Sequence, residues 1–212
     1  MDTKSHLMFG QVLLNCCKQD ISYAEWATAP DIDFDKKLFS ILLHRYWRHR
    51  ISTLPEIFAE YSAKYPSALT EDKIAIALCI LSHLYLDIFN GWVFCWGFSY
   101  PATHMSSNVI KEYARDLNQN LLDHYTEKQQ TFFNESQTIF EQIPPLRNTD
   151  AFLALLSELV RFTSGGVTPQ KATTQINSFT GLNLTYNSLP ILTPITTRYY
   201  NFLKSFFQET TL

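Results

Sequence analysis

Residues 74–100, IAIALCILSHLYLDIFNGWVFCWGFSY, are the most apolar run of the chain, and the run carries a histidine and an aspartate in its middle. A helix that is apolar on every side has to sit inside whatever forms around it. His83 and Asp87 are four positions apart, so on an α-helix both side chains share one face, about 6 Å apart along the axis. Cys79 and Asn90 fall near the same stripe. A carboxylate surrounded by Ile, Leu, Trp and Phe is costly to bury unless something neutralises it. A metal ion shared with a neutral imidazole does so, and so does a His–Asp hydrogen bond in a helical core; the spacing leaves both open. Residues 74–98 are also long enough to span a bilayer. Asp87 would then sit near the midplane at about 2.5–3.5 kcal/mol, and a single span leaves the other amphipathic helices unexplained, so we expect a core helix instead.

The rest of the composition suits that expectation. With 212 residues, 46% of them hydrophobic and 17% charged, the chain can bury a full core without disulfides or metal staples. Sixteen Phe and eleven Tyr predict an aromatic-rich interior. The net charge of −3 and scattered Lys and Arg provide no basic patch, which disfavours nucleic acid as a partner. Cys16, Cys17, Cys79 and Cys95 form no C-x-x-C pair, so neither a disulfide framework nor a zinc ribbon is expected. The first twenty residues read as no export signal, and a reducing cytoplasm fits.

Capping residues divide the chain into helices. Ser5 is expected to cap a helix over residues 6–18, with Leu7, Val12 and Leu14 among its apolar positions. The segment ISYAEWATAPDIDFD, with Pro30, argues against a continuing helix. A second helix is expected over 36–50. Thr53-Leu-Pro-Glu56 reads as a capping box opening a helix to Tyr65-Pro66. Thr70 is expected to cap the central helix, which should end near Asn90-Gly91. From Trp92 to Tyr100 aromatics alternate, which predicts an extended strap on the core or the wall of an apolar pocket. Further helices are expected from about Ser107 to Ile143, broken near His124, then from Asn148 or Thr149 to Thr163, from Thr168-Pro169 to Gly181, and from Pro194 onward. The prediction is an all-α helical bundle in one domain over residues 1–212, with a metal-site half to about 105 and a helical half after it.

Beyond the central pair, His6 lies in the first turn of the first helix on a face shared with Gly10. Asp31 and Asp33 lie in a loop, free to point at a cation. His44 and His49 are about 140° apart around their helix, and His44, beside Leu42 and Leu43, is the inward candidate.

In order, His6, Ala-Pro-Asp31, His44 and Ala-Leu-x-Ile-Leu-Ser-His83-x-x-x-Asp87 resemble the zinc-dependent phospholipase C family, related to single-strand nucleases of the same helical fold. The resemblance covers about the first hundred residues. It implies metal-ligand roles for His6, Asp31, His44, His83 and Asp87. The family's further P-x-H and H-x-x-x-E elements are absent. Gly91-Trp92-Val93 stands in the first place, and His104 with Asn108 is the nearest later pair, so one or two zinc ions, or another divalent transition metal, are implied, with His104 as an additional ligand. Secreted members also use a processed N-terminal amine, whereas five residues precede His6 here.

The resemblance implies a metal-dependent phosphodiester hydrolase acting on a small-molecule or lipid substrate, with metal-activated water as nucleophile and Asp31 or Asp33 as proton acceptor. A second reading is a non-catalytic relative with a degenerate metal pocket. A third is an acyl-carrier-protein phosphodiesterase-like hydrolase, which His44-Arg45, Leu54-Pro55-Glu56 and the Asp87 helix resemble more faintly. That enzyme would meet an acidic carrier through Arg45, Arg48 and Arg50.

Overall fold

The computed structural model describes residues 3–31, 51–87, 130–162, 168–186 and 192–208. Among the described residues every regular element is helical. In chain order they are α1 (Thr3–Cys16), a 3-10 segment (Ile21–Asp31), a 3-10 turn (Ile51–Thr53), α2 (Leu54–Lys64), α3 (Lys73–Asp87), α4 (130–140), α5 (Asn148–Phe162), α6 (Pro169–Thr180) and α7 (Thr193–Gln208). No described helix is long and apolar enough to cross a membrane.

α3 is the axis of the molecule. Every residue from Ala75 to Asp87 is buried, and α1, the 3-10 segment, α5 and α6 pack around it. Its start is set by Asp72, whose carboxylate accepts from the amides of Ile74 at 2.9 Å and Ala75 at 3.0 Å. Asp72 therefore takes the capping role expected of Thr70, as an Asx side chain does at the end of a helix. Its own amide donates to the Tyr23 hydroxyl at 3.3 Å, which ties the cap to the 3-10 segment. Aromatic packing joins the other elements to this axis. Phe9 of α1 lies 5.2 Å from Tyr85 and 4.6 Å from Phe140, and Phe140 lies 4.7 Å from Tyr199 of α7.

Other boundaries follow local chemistry. α6 begins as expected, with the Thr168 hydroxyl accepting from the Lys171 amide and Pro169 in the first turn, and ends at Gly181, whose φ of 76° is the left-handed conformation glycine adopts without cost. Asn177 then holds the departing chain by bonding both the amide and the carbonyl of Leu184. α7 starts at Thr193, where the hydroxyl donates to Glu158 Oε1 at 2.6 Å. Glu158 is buried on α5, and this bond gives one of its carboxyl oxygens a partner.

Three further expectations are corrected. α1 starts at Thr3, with Ser5 buried inside the helix instead of capping it. The Thr53 side chain makes no capping hydrogen bond, so the sequence box before α2 is not a structural one. The loop expected before Pro30 is a run of 3-10 turns, far longer than the few residues usual for that form. Small residues at Ala24, Ala27 and Ala29 let this tight coil lie directly on α1 and α3. The expected helix over 36–50 and the aromatic strap from Trp92 to Tyr100 lie outside the described residues.

The end of α1 is closed by a Schellman pair. The Gln19 amide bonds the Leu14 carbonyl and the Lys18 amide bonds that of Asn15. The residue at the left-handed position is Lys18, with φ of 55°. Lys18→Gly is expected to raise stability by about 1 kcal/mol, because glycine carries no Cβ penalty there. Urea unfolding of the two proteins checks it, and an unchanged or lower midpoint in the variant would contradict it.

Candidate metal centre

His6 on α1 and His83 and Asp87 on α3 meet in the core. One nitrogen or carboxylate oxygen from each lies within 4.8 Å of the others. His6 Nε2 is 3.5 Å from Asp87 Oδ1, and His83 Nε2 is 3.3 Å from Asp87 Oδ2. The two imidazoles stack, with centroids 3.7 Å apart and planes within 12°. Both rings are at most 1% exposed and Asp87 is 5% exposed. Asp31, at the end of the 3-10 segment, points Oδ1 at His83 Nε2 from 3.8 Å, and its side chain keeps 29% of its surface in solvent. It lies beside the trio, on the side open to water.

His83 has a defined polarity. Its Nδ1 lies 2.8 Å from the carbonyl oxygen of Ala27. A carbonyl only accepts, so Nδ1 carries the proton and donates it. In the neutral ring, Nε2 then turns a lone pair toward the carboxylates of Asp87 and Asp31. Acceptors that face one another in a dry interior need a cation or a shared proton between them.

His6 adds a second unused donor. Its 3.5 Å approach to Asp87 is too long for a well-formed hydrogen bond, and neither ring nitrogen has a hydrogen-bond partner. Burial and the neighbouring His83 hold its pKa down at about 4, outweighing the upward pull of Asp87. His6 is thus a neutral imidazole at ordinary pH, the form that binds metal.

This donor set fits zinc. Four ligands at 2.0–2.1 Å in a tetrahedron are separated by roughly 3.3–3.4 Å, close to the two histidine–carboxylate distances here. The Ala27 carbonyl behind His83 is the orienting partner that metal-bound imidazoles usually have. One rearrangement is required. Lone pairs of near-parallel rings run side by side, so for both to hold one ion the stack has to fan open.

Of the residues expected at the site, His6, His83 and Asp87 come together and Asp31 adjoins them. His44, His104, Asp33 and Asn90 lie outside the described residues, as do Arg45, Arg48 and Arg50. Cys79 is fully buried, its thiol held well above its usual pKa by burial, and it is not in the donor cluster.

Sequence reasoning missed the two backbone features that assemble the site. A Cβ on Gly10 would meet Ala27 Cβ at 2.9 Å and the Ala24 carbonyl at 3.4 Å. The bare glycine lets α1 settle onto the 3-10 segment, which brings His6 over the ring that Ala27 anchors. The signal was a glycine in mid-helix opposite three alanines spaced along the next segment. Gly10→Ala is expected to cost about 1–3 kcal/mol, since neither contact is a flexible side-chain end and the backbone has to move. Any affinity of the cluster for a metal ion should fall with it. Urea unfolding and zinc titration check both effects, and full stability with normal zinc affinity would refute the close-packing account.

No protein-family model matches this chain, and no curated protein or solved structure is detectably similar to it.

Proposed function

We propose that this chain is a metal-dependent hydrolase of phosphodiesters, phospholipase C-like, with zinc held by His6, His83 and Asp87. The observation that carries the reading is the polarity of His83, whose Nδ1 is committed to Ala27 while Nε2 faces two carboxylates. Bound zinc supplies a Lewis acid for a phosphoryl oxygen and makes a water acidic enough to ionise near neutrality. Asp31 is the base. It is the site's solvent-facing carboxylate, placed to take the proton of the attacking water and return it to the alcohol oxygen as the P–O ester bond breaks. Burial of His6, His83 and Asp87 keeps bulk water from competing for the ion. The substrate is a small-molecule or lipid phosphodiester.

The test combines elemental analysis with hydrolysis of bis(4-nitrophenyl) phosphate. Wild type should carry near-stoichiometric zinc and turn the ester over. His83→Ala and Asp87→Asn should lose metal and activity together. Asp31→Asn should keep the metal and lose at least about 100-fold in rate. Zinc bound without activity toward any ester would favour a non-catalytic metal protein, a reading that the nearly complete burial of both imidazoles supports. No zinc after reconstitution would overturn both.

A further inference from the structure

At the opposite end of α3 from the metal centre, a cavity of about 330 Å³ opens between α2, α3 and α6. Ser52, Pro55, Phe58, Lys73, Gln175, Ser178 and Phe179 line it. Lys73 is the first residue of α3 and His83 lies ten positions on, about 15 Å away along the axis, so the two sites are separate.

Among the described residues the cavity has one cation and an aromatic wall. The Lys73 ammonium sits 5.9 Å from the centre of the Phe58 ring and 5.5 Å from that of Phe179. The rings meet edge to face at 5.6 Å, and Phe58 is backed by Trp26, stacked on it at 5.4 Å and 14°. Trp26 is fixed in turn by its indole N–H bond to the Leu69 carbonyl at 2.8 Å. The wall is therefore braced before any ligand arrives, which lowers the ordering cost of binding. No carboxylate lines the cavity, and Lys73 is in no ion pair among the described residues. Among the described residues it is the two ring faces that its charge meets. The remaining polar groups, two hydroxyls and an amide, are uncharged and can donate.

We infer that this cavity binds a small organic carboxylate with a planar apolar body. A single negative charge matches the single ammonium. The two phenyl rings offer the body an apolar surface that a hydrated inorganic anion would leave unused. A doubly charged phosphate would meet a single ammonium as a point charge, without the paired donors of an arginine, since none is among the described residues that line the cavity. The volume is at the small end for ligand pockets, which limits the body to about one ring.

Benzoate and phenylacetate are the probes, with benzamide and phenylacetamide as neutral counterparts of the same shape and inorganic phosphate as the purely ionic control. Binding is read by NMR shift titration of the zinc-loaded protein. The carboxylates should bind at sub-millimolar to millimolar concentration, at least about tenfold more tightly than the amides or phosphate. Lys73→Met keeps the aliphatic stem over the rings and removes the charge; it should erase the preference for carboxylate and leave the urea midpoint and zinc content unchanged. Failure of the carboxylates to bind by about 10 mM, equal binding of amide or phosphate, or a preference that survives Lys73→Met would each overturn the inference. Zinc content is measured on the same samples, so loss of the metal reading and loss of this one are told apart.

Discussion

Lowering the pH of the zinc-free protein from 7 to 4 should remove about 3 kcal/mol of folding stability through His6 alone. The unfolded imidazole titrates near 6.5, whereas burial and the adjacent His83 hold the folded one at about 4. Between those values the unfolded chain binds the extra proton and the native protein does not. Stability is therefore fully present above pH 6.5 and falls by about 1.4 kcal/mol per pH unit down to the folded pKa, where the loss levels off. Carboxylates elsewhere also titrate in this range, so the informative quantity is the difference between wild type and His6→Asn. Urea unfolding at half-unit steps should give a steeper acid slope for wild type. Parallel slopes for the two proteins would mean that His6 is not held neutral in the core.

Zinc should have an effect of similar size and opposite sign. Free zinc at 100 times its dissociation constant stabilises the native state by about 2.7 kcal/mol, and at 1,000 times by about 4.1 kcal/mol. Asp87→Asn should abolish this gain. Without zinc, the same change should cost little or even stabilise, because it replaces a buried carboxylate with a neutral amide and sets an N–H donor opposite one of the two Nε2 atoms. A purely structural His–Asp pair predicts the reverse: a marked loss in Asp87→Asn and indifference to zinc. Unfolding midpoints of both proteins with zinc or with chelator distinguish the two.

Local chemistry made much of this architecture readable, and tertiary contacts decided the rest. Thr168, Pro169 and Gly181 bound α6 because each acts through its own backbone. The pairing of His83 with Asp87 was readable for the same reason, since both lie on one helix. Thr70 and Asp72 are both able to cap α3, and sequence alone does not choose between them; Asp72 holds the position, joined there by Tyr23 from 49 residues away. Thr53 shows the converse, a box in sequence whose side chain makes no capping hydrogen bond. His6 and Asp31 reach the centre only because α1 and the 3-10 coil lie close together at Gly10 and Ala27. That contact joins residues distant in sequence, and the long 3-10 run that aims Asp31 has no periodic signature of its own. The order of His6, Asp31, His83 and Asp87 along the chain singled these residues out in sequence, with no account of what brings them near one another.

The burial of α3 also sets the pace at which an ion could come and go. Amides along the wholly buried stretch from Ala75 to Asp87 should be among the slowest in the protein to exchange with solvent deuterium, since exposing them means dismantling the packing on every side. Two of the three candidate metal donors, His83 and Asp87, ride on that element and cannot swing outward by themselves. His6 belongs to α1, whose outer face is in water, and Asp31 to the solvent-facing end of the 3-10 coil. Entry and release should therefore follow the opening of α1 or of that coil, and chelators should strip the protein at a rate set by this local opening and independent of chelator concentration.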